Sequence, residues 1–233
     1  MINLILFGGL SESGKSHASK YSEKNDFKHM KIIFFEKEIM KYFNIDPLSK
    51  EYDPFYELYN RDHNIVFAKL WEEIQLFCKT NNLKNISMDS TTRVDMVDFF
   101  QRQENVNFLS IYFEADFTKR VEREYIKNGK LSFSEVERLT KEKDLTKLSR
   151  KADLVKDKSI FVSNNGTVNE FEIKLFEIFE ILKKWKIKQK RNILFTNEEV
   201  NIKYIDNPDN LSNQLVKYSF ISSHFIKINS TEN

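Results

Sequence analysis

The eight residues from Gly9 to Ser16 constrain this chain more than any other stretch. Their sequence, GLSESGKS, matches the pattern G-x-x-x-x-G-K-[S/T] at all four fixed positions. The whole chain has only five glycines, and three of them, Gly8, Gly9 and Gly14, fall within seven consecutive residues. Because glycine permits backbone conformations that a side chain would obstruct, this concentration predicts a loop whose N–H groups approach phosphate oxygens closely.

The pattern implies a role for each fixed position of the loop, because each contacts a different part of a bound nucleotide. We expect the Lys15 ammonium to reach the β- and γ-phosphates of ATP, and the Ser16 hydroxyl to complete the coordination shell of Mg²⁺. We expect the His17 side chain to lie on the helix surface and to take no part in catalysis. The residues expected to line the nucleotide site here are Gly9, Leu10, Ser11, Glu12, Ser13, Gly14, Lys15, Ser16 and His17.

Apolar runs and helical patterns alternate along the rest of the chain, which is typical of a parallel sheet with helical crossovers. We therefore predict an α/β fold with three α/β/α layers, a five-stranded parallel sheet, lid helices and a C-terminal appendage. The predicted strands are residues 2–7, 31–35, 85–90, 108–115 and 160–163.

The composition divides the chain into two parts. Residues 1–183 carry the alternating pattern, and we assign residues 37–80 to acceptor binding and residues 117–151 to a lid. The strongly basic run from Lys183 to Arg191 is followed by some forty residues with weak periodicity and many Asn and Ser residues. We treat residues 184–233 as an extension whose role the sequence leaves open.

Charge and cysteine content narrow the possible partners and location. With 37 basic and 35 acidic residues the net charge is +2, so nothing in the balance predicts a nucleic acid or membrane partner. The single cysteine, Cys78, lies in an apolar helical pattern and excludes an intramolecular disulfide. We expect a cytoplasmic protein with a small-molecule partner, and leave the oligomeric state open.

Several classes of nucleotide-binding protein are disfavoured by what the sequence lacks. The chain has no N-K-x-D tetrad for guanine and no L-S-G-G-Q-type signature, and it is too short for a helicase or an AAA motor. Small kinases remain. The predicted strand at residues 86–90 has an acid, Asp89, at its end, and Arg93 follows it. Residues 117–123 read as a helix with paired arginines. Together with the loop near residue 10, these features resemble the nucleoside monophosphate kinase and dephospho-CoA kinase superfamily over residues 1–183.

The resemblance implies further site residues. Lys15, Asp89, Arg120 and Arg123 would be catalytic, and Ser16 and Asp89 would bind the metal. Arg93, Tyr56 and Arg61 would bind the acceptor, and Asn165, in the turn after the last strand, would lie beside the adenine. The charged segment 132–151 matches the family's lid, with basic candidates at Arg138, Lys141, Lys143, Lys147 and Arg150. Asp144 and Lys147 are similar to a D-x-x-K stretch of small kinases.

The expected function is transfer of the γ-phosphoryl group of ATP, with Mg²⁺, to a small acceptor. A nucleoside or deoxynucleoside monophosphate is the first choice of acceptor, followed by dephospho-CoA, a free nucleoside or another small metabolite. An alternative of a different class is a regulator or scaffold that binds nucleotide through the loop without turnover.

Overall fold

Five parallel strands form the central sheet, which confirms the predicted architecture. The computed structural model describes residues 1–46, 53–91, 93–148, 152–184, 201–203, 215–221 and 224–229. The strands run in the order β2-β3-β1-β4-β5, with every neighbouring pair parallel. Their bounds are β1 Ile2–Gly8, β2 Lys28–Lys31, β3 Asn85–Thr91, β4 Val106–Glu114 and β5 Ile160–Ser163.

Helices connect the strands and cover both faces of the sheet. In the described part of the chain they are α1 Lys15–Glu23, α2 Ile32–Tyr42, α3 Asp53–Arg61, α4 His63–Thr80, α5 Val94–Gln101, α6 Phe117–Asn128, α7 Phe133–Leu148, α8 Leu154–Asp157 and α9 Val168–Lys184.

Strand β1 lies at the centre of the sheet and shows how the layers are built. Leu4 and Leu6 pack with buried residues of α2, α4 and α5 on one face. Ile5 and Phe7 pack with α1 and α9 on the other face. This alternation follows from the two-residue period of a strand. The loop after β1 therefore starts from a strand that is buried on both faces, which fixes the position of the loop at the carboxyl edge of the sheet.

The predicted strand at residues 31–35 is wrong. Strand β2 ends at Lys31, and the apolar residues that follow begin helix α2. Ile32, Phe35 and Ile39 recur at three- and four-residue spacing and are buried, whereas Phe34 between them is exposed. The apolar run is therefore one face of a helix, and the true edge strand is short and mostly polar.

Two helix ends of the segment after β4 are capped by their own residues. Ser132 and Glu135 exchange hydrogen bonds at the start of α7, where the Ser132 amide donates to the carboxylate at 3.0 Å. Gly129 ends α6 in the left-handed conformation with φ 54°. Helices α6 and α7 thus form an antiparallel hairpin, which we call the α6–α7 hairpin.

The segment after α9 contains three antiparallel strands. They are β6 Asn201–Lys203, β7 Leu215–Ile221 and β8 His224–Asn229, arranged in that order. The remaining residues of the predicted extension lie outside the described part. None of the helices that the structure describes has the length and apolar character needed to cross a membrane.

Candidate functional site

The loop between β1 and α1 adopts a backbone path that requires glycine at two points. Gly9 has φ 130° and Gly14 has φ 113°, both in the region that L-residues with side chains rarely adopt. A Cβ atom at Gly9 would lie 2.3 Å from the carbonyl oxygen of Phe113. A Cβ atom at Gly14 would lie 2.5 Å from Nδ2 of Asn164. At these two positions the loop therefore lies too close to β4 and to the turn after β5 to admit a side chain.

Lys15 begins helix α1 and is the most perturbed cation of the site. Its side chain is buried, and its ammonium donates to the carbonyl oxygen of Leu10 at the start of the loop. Burial, followed by repulsion from Lys147, lowers the pKa of Lys15 from 10.5 to about 7, against the opposing attraction of Asp89. A buried ammonium held by one carbonyl is poorly solvated, so an anion that reaches it is strongly favoured.

Asp89 lies at the carboxyl end of β3, beside the loop, as the sequence predicted. It pairs in register with Phe7 of β1 and is almost fully buried. Two residues earlier, the Ser87 hydroxyl is 2.7 Å from the Ser22 hydroxyl of α1, so β3 presents this face to α1. By the two-residue period Asp89 shares that face, and its charge acts on the Lys15 ammonium.

Ser16 and Asp89 offer a donor set that fits Mg²⁺. Ser16 is exposed on the first turn of α1, and Asp89 approaches from the neighbouring strand. Hydroxyl and carboxylate oxygens are the ligands that Mg²⁺ takes from proteins, with water and phosphate oxygens completing its six positions. Among the described residues no cluster of three or more His, Cys, Asp or Glu side chains could hold a metal by itself. This small donor set is consistent with a cation that is bound jointly with phosphate.

Helix α6 places a row of basic side chains on the loop backbone. Arg120 donates to the carbonyl oxygen of Ser11 at 3.3 Å, and Arg123 donates to that of Glu12 at 3.2 Å. One turn further, Lys127 donates to the Glu12 carboxylate at 2.9 Å. These contacts hold Glu12, which has φ 56° although it is not a glycine. Both predicted arginines are thus brought to the loop, where they contact its carbonyl groups.

Helix α7 closes over the same loop residues. Asp144 accepts two hydrogen bonds from the Arg120 guanidinium, at 2.9 and 2.7 Å, and both side chains are buried. Lys147, one turn further along, donates to the Ser11 hydroxyl at 3.0 Å. Burial lowers the pKa of Lys147. Asp144 and Lys147, the D-x-x-K pair of the sequence, therefore lie at the loop.

The other basic residues of the predicted lid have separate partners. Arg138 pairs with Glu142, and Lys141 pairs with Glu137, both on the exposed face of α7. Lys143 reaches across to Glu124 of α6 at 2.8 Å and ties the two helices together. Arg150 lies outside the described residues.

The turn after β5 reaches the loop through Asn164, a residue that the sequence reasoning missed. Asn164 is buried, donates to the carbonyl oxygen of Ser13 at 2.9 Å, and accepts from Arg123 at 2.8 Å through its own carbonyl. Asn165, the predicted adenine neighbour, is exposed, and its side-chain oxygen accepts from the Asp116 amide. The available signal was position, because Asn164 directly follows an apolar strand at the same sheet edge as the loop.

The residues after the loop and beside Asp89 include two histidines. His17 lies 3.0 Å from a carboxylate oxygen of Glu172 and against the ring of Phe171, so it joins α1 to α9 as a partly exposed helix residue. The sequence reasoning missed His29, on β2. Its Nε2 is 3.8 Å from the Asp89 carboxylate, and its buried Nδ1 has no described hydrogen-bond partner.

Of the three predicted acceptor residues, the structure describes the side chains of two, Arg93 and Arg61. Arg93 follows the carboxyl end of β3, and its guanidinium carbon lies 3.3 Å from the ring centre of Tyr59. Arg61 is exposed at the end of α3, and no contact in the described part of the chain joins it to the loop. The side chain of Tyr56 lies outside the described residues, although its backbone is part of α3.

This chain is similar to known proteins in its backbone structure alone. No protein-family model matches the chain, and no curated protein matches its sequence. TT1252 from Thermus thermophilus aligns with a TM-score of 0.49 and 13% identity, over 78% of this chain and 98% of that one. Shikimate kinase from Acinetobacter baumannii, in complex with shikimate, has a TM-score of 0.46 and 12% identity, over 80% and 95%. Dephospho-CoA kinase from Campylobacter jejuni has a TM-score of 0.44 and 14% identity, over 79% and 98%.

Proposed function

We propose that this chain is an ATP-dependent phosphotransferase that acts on a small acceptor. One observation supports this most directly: the side chains of Lys15, Arg120, Arg123 and Lys147 all contact residues 10–12 of the glycine loop. The first turn of α1 adds backbone N–H groups that have no partner within the helix. The loop and helix amides and the Lys15 ammonium would be the donors to a polyphosphate, while the other three basic side chains hold the loop oxygens in place.

The donor side of the mechanism rests on positioning and charge. The loop amides and the Lys15 ammonium hold the phosphates, and Lys147 adds a second cation near the loop. Ser16 and Asp89 would hold Mg²⁺, which when bound offsets charge on the phosphate oxygens. Arg120 and Arg123 fix the loop carbonyls so that the opposite, N–H-bearing side faces the phosphates. Little covalent chemistry is required of the protein.

The acceptor side is the carboxyl edge of the sheet between residues 37–80 and Arg93. There Asp89 would orient the acceptor hydroxyl or phosphate toward the γ-phosphoryl group. Our first choice of acceptor is a nucleoside or deoxynucleoside monophosphate, because Arg93 offers a cation for its phosphate and the ring of Tyr59 of α3 lies beside it. Dephospho-CoA or another small metabolite is the alternative.

The α6–α7 hairpin is the part of the fold that can exclude water. Lys147 contacts the Ser11 hydroxyl, and Asp144 contacts Arg120, which in turn contacts the Ser11 carbonyl group. The hairpin would therefore cover bound phosphates from one side. Movement of residues 117–151 toward a bound nucleotide would favour transfer to the acceptor over hydrolysis.

Substitution of Lys15 tests this function. Lys15→Ala should lower acceptor-dependent ADP release about 100- to 1,000-fold, the usual loss when one charge-stabilising donor is removed. The matched control is Lys20→Ala, which removes an exposed lysine from the same helix and should leave the rate unchanged. Circular dichroism should show both variants folded. Full activity of a folded Lys15→Ala variant would contradict the site assignment.

A screen of acceptors separates the enzyme from a nucleotide-binding regulator. ADP release is measured with ATP and Mg²⁺ in the presence of each nucleoside monophosphate, deoxynucleoside monophosphate, nucleoside and dephospho-CoA. Stimulation by one of these identifies the acceptor class. Micromolar ATP binding without stimulation by any of them would favour the regulator.

A further inference from the structure

Tyr59, Arg93 and Asp95 form a three-membered arrangement at the acceptor edge that the proposed function leaves unexplained. The guanidinium carbon of Arg93 lies 3.3 Å from the centre of the Tyr59 ring. At that separation the two groups are in van der Waals contact, and the guanidinium can approach only across the face of the ring. The Tyr59 hydroxyl donates to the Asp95 carboxylate at 2.9 Å.

The Tyr59 ring is itself held in place from α4. Tyr59 is 4% exposed, and its ring lies 5.4 Å from that of Phe67 and 6.1 Å from that of His63. Burial raises the pKa of the Tyr59 hydroxyl well above its usual range, so the group stays protonated and remains a donor. A fixed ring with a fixed hydroxyl is a platform whose orientation is set before any ligand arrives.

The platform lies at the edge of the sheet where the proposed function places the acceptor. Arg93 stands directly before helix α5, at the end of β3, and β3 is the neighbour of β1, which leads into the glycine loop. A guanidinium that stacks on a ring keeps its N–H donors in its own plane, and in-plane donors make the paired contacts that carboxylates and phosphates accept. An unsupported arginine would lose substantial side-chain entropy on binding such a group.

We infer that Tyr59 is a positioning residue, which holds the Arg93 guanidinium in the orientation that receives an oxyanion of the acceptor, with Asp95 fixing Tyr59 in turn. This inference rests on the proposed function, since it deepens the account of the acceptor site. The shared chemistry is that of a carboxylate or a phosphate monoester on the acceptor.

The first test measures the position of Arg93 without any activity. Side-chain ¹⁵N NMR of arginine-labelled protein, with the Arg93 signal assigned from Arg93→Lys, reports motion of the guanidinium. Tyr59→Leu removes the ring and should make the Arg93 signal mobile, whereas Tyr59→Phe keeps the ring and should leave it largely ordered. The control Tyr42→Leu removes an exposed ring of α2 that contacts Lys69 of α4 and not Arg93, and should leave the Arg93 signal unchanged.

The second test uses the acceptor found in the screen. Tyr59→Leu should raise the acceptor KM about three- to tenfold, the loss expected when one long side chain must be ordered on binding, while the KM for ATP changes little. Tyr59→Phe, which keeps the ring, should leave the acceptor KM close to its wild-type value. Phosphate-bearing acceptors from the screen are compared with small metabolites that carry a carboxylate, tested alongside them, and only the class that contacts Arg93 should show the effect.

The outcomes separate the inference from the proposed function. An Arg93 signal that stays ordered in folded Tyr59→Leu, or an equal rise of both KM values, would overturn the positioning role. If Tyr59→Leu does not fold, an acceptor KM in Tyr59→Phe raised as much as in Arg93→Lys would overturn it. Ordered Arg93 in the wild type and mobile Arg93 in Tyr59→Leu would support the role even if no acceptor stimulated ADP release, and only the proposed function would then fail.

Discussion

At the scale of the residue, the site depends on charges that are buried before a ligand binds. Lys15 is the clearest case, because its ammonium is desolvated and faces the charge of Lys147. The free energy that destabilises this cation in the free protein is recovered when phosphates supply the missing negative charge. For the proposed nucleotide, part of the binding free energy would therefore come from relief of this unfavourable protonation.

The pH dependence of nucleotide binding follows from the pKa of Lys15, which is about 7. Above pH 7 the free protein loses this proton, whereas a bound polyphosphate raises the pKa and restores it. ATP affinity should therefore fall as the pH rises above 7, and binding at pH 8 should take up a proton. Calorimetry in two buffers of different ionisation enthalpy measures this uptake. Lys15→Arg, which stays charged, should remove most of it, and an unchanged uptake in that variant would contradict the assignment.

Residue identity within the loop was predictable because the pattern is contiguous in sequence. The partners of the loop were not, because they come from distant segments. Asn164, which contacts Ser13, lies 151 residues away along the chain. Tyr59 and Arg93 meet only because α3 packs beside the start of α5. Their pairing depends on the tertiary arrangement of helices, which no local periodicity encodes.

At the scale of the element, the α6–α7 hairpin is the main support of the loop. Its two helices are joined by the buried Arg120–Asp144 pair and by the Lys143–Glu124 pair. A buried ion pair contributes little net stability compared with apolar packing, but removal of one partner leaves an uncompensated charge. We therefore expect the pair to act on the specificity of the docking of α7 on α6 more than on the net stability.

Asp144→Asn tests this support, since it removes the charge with almost no change of shape. Arg120 would remain buried without a counterion, and the free energy of unfolding should fall by about 3 kcal/mol. Glu142→Gln is the matched control on the same helix, because its pair with Arg138 is exposed and should contribute under about 0.5 kcal/mol. Urea denaturation of both variants gives the comparison. Equal losses in the two variants would show that Arg120 is neutralised by another group.

Most elements could be predicted from hydrophobic periodicity, and the exception has a physical cause. Strand β2 is a short edge strand whose sequence, KHMK, offers one strongly apolar residue. An edge strand needs little apolar surface, so its pattern is weak. The start of α2 was predicted as a strand because two isoleucines and two phenylalanines follow one another there, as in a buried strand.

At the scale of the whole molecule, the site belongs to the part of the chain that ends with α9. The three apolar clusters of the described core involve residues up to Phe179. The contacts that shape the loop also come from residues before α9 ends. The division into a catalytic domain of residues 1–183 and an extension of residues 184–233 stays a prediction.

A chain that ends at Lys184 tests this division. It should fold cooperatively and bind ATP within about twofold of the full chain, a difference of roughly 0.4 kcal/mol. Thermal unfolding and calorimetric titration of both proteins supply the comparison. A truncated chain that aggregates, or that loses ATP affinity while folded, would show that the extension is part of the domain.

The Ser22–Ser87 hydrogen bond has a consequence for ion selectivity. It joins α1 to β3 through two buried hydroxyl groups, six residues after Ser16 on the helix and two residues before Asp89 on the strand. If Ser16 and Asp89 hold the cation as proposed, this link helps to fix the spacing of the two elements that carry the oxygen donors. A rigid span with few protein ligands suits a small ion that retains its waters, and disfavours Ca²⁺, which needs more ligands at longer distances.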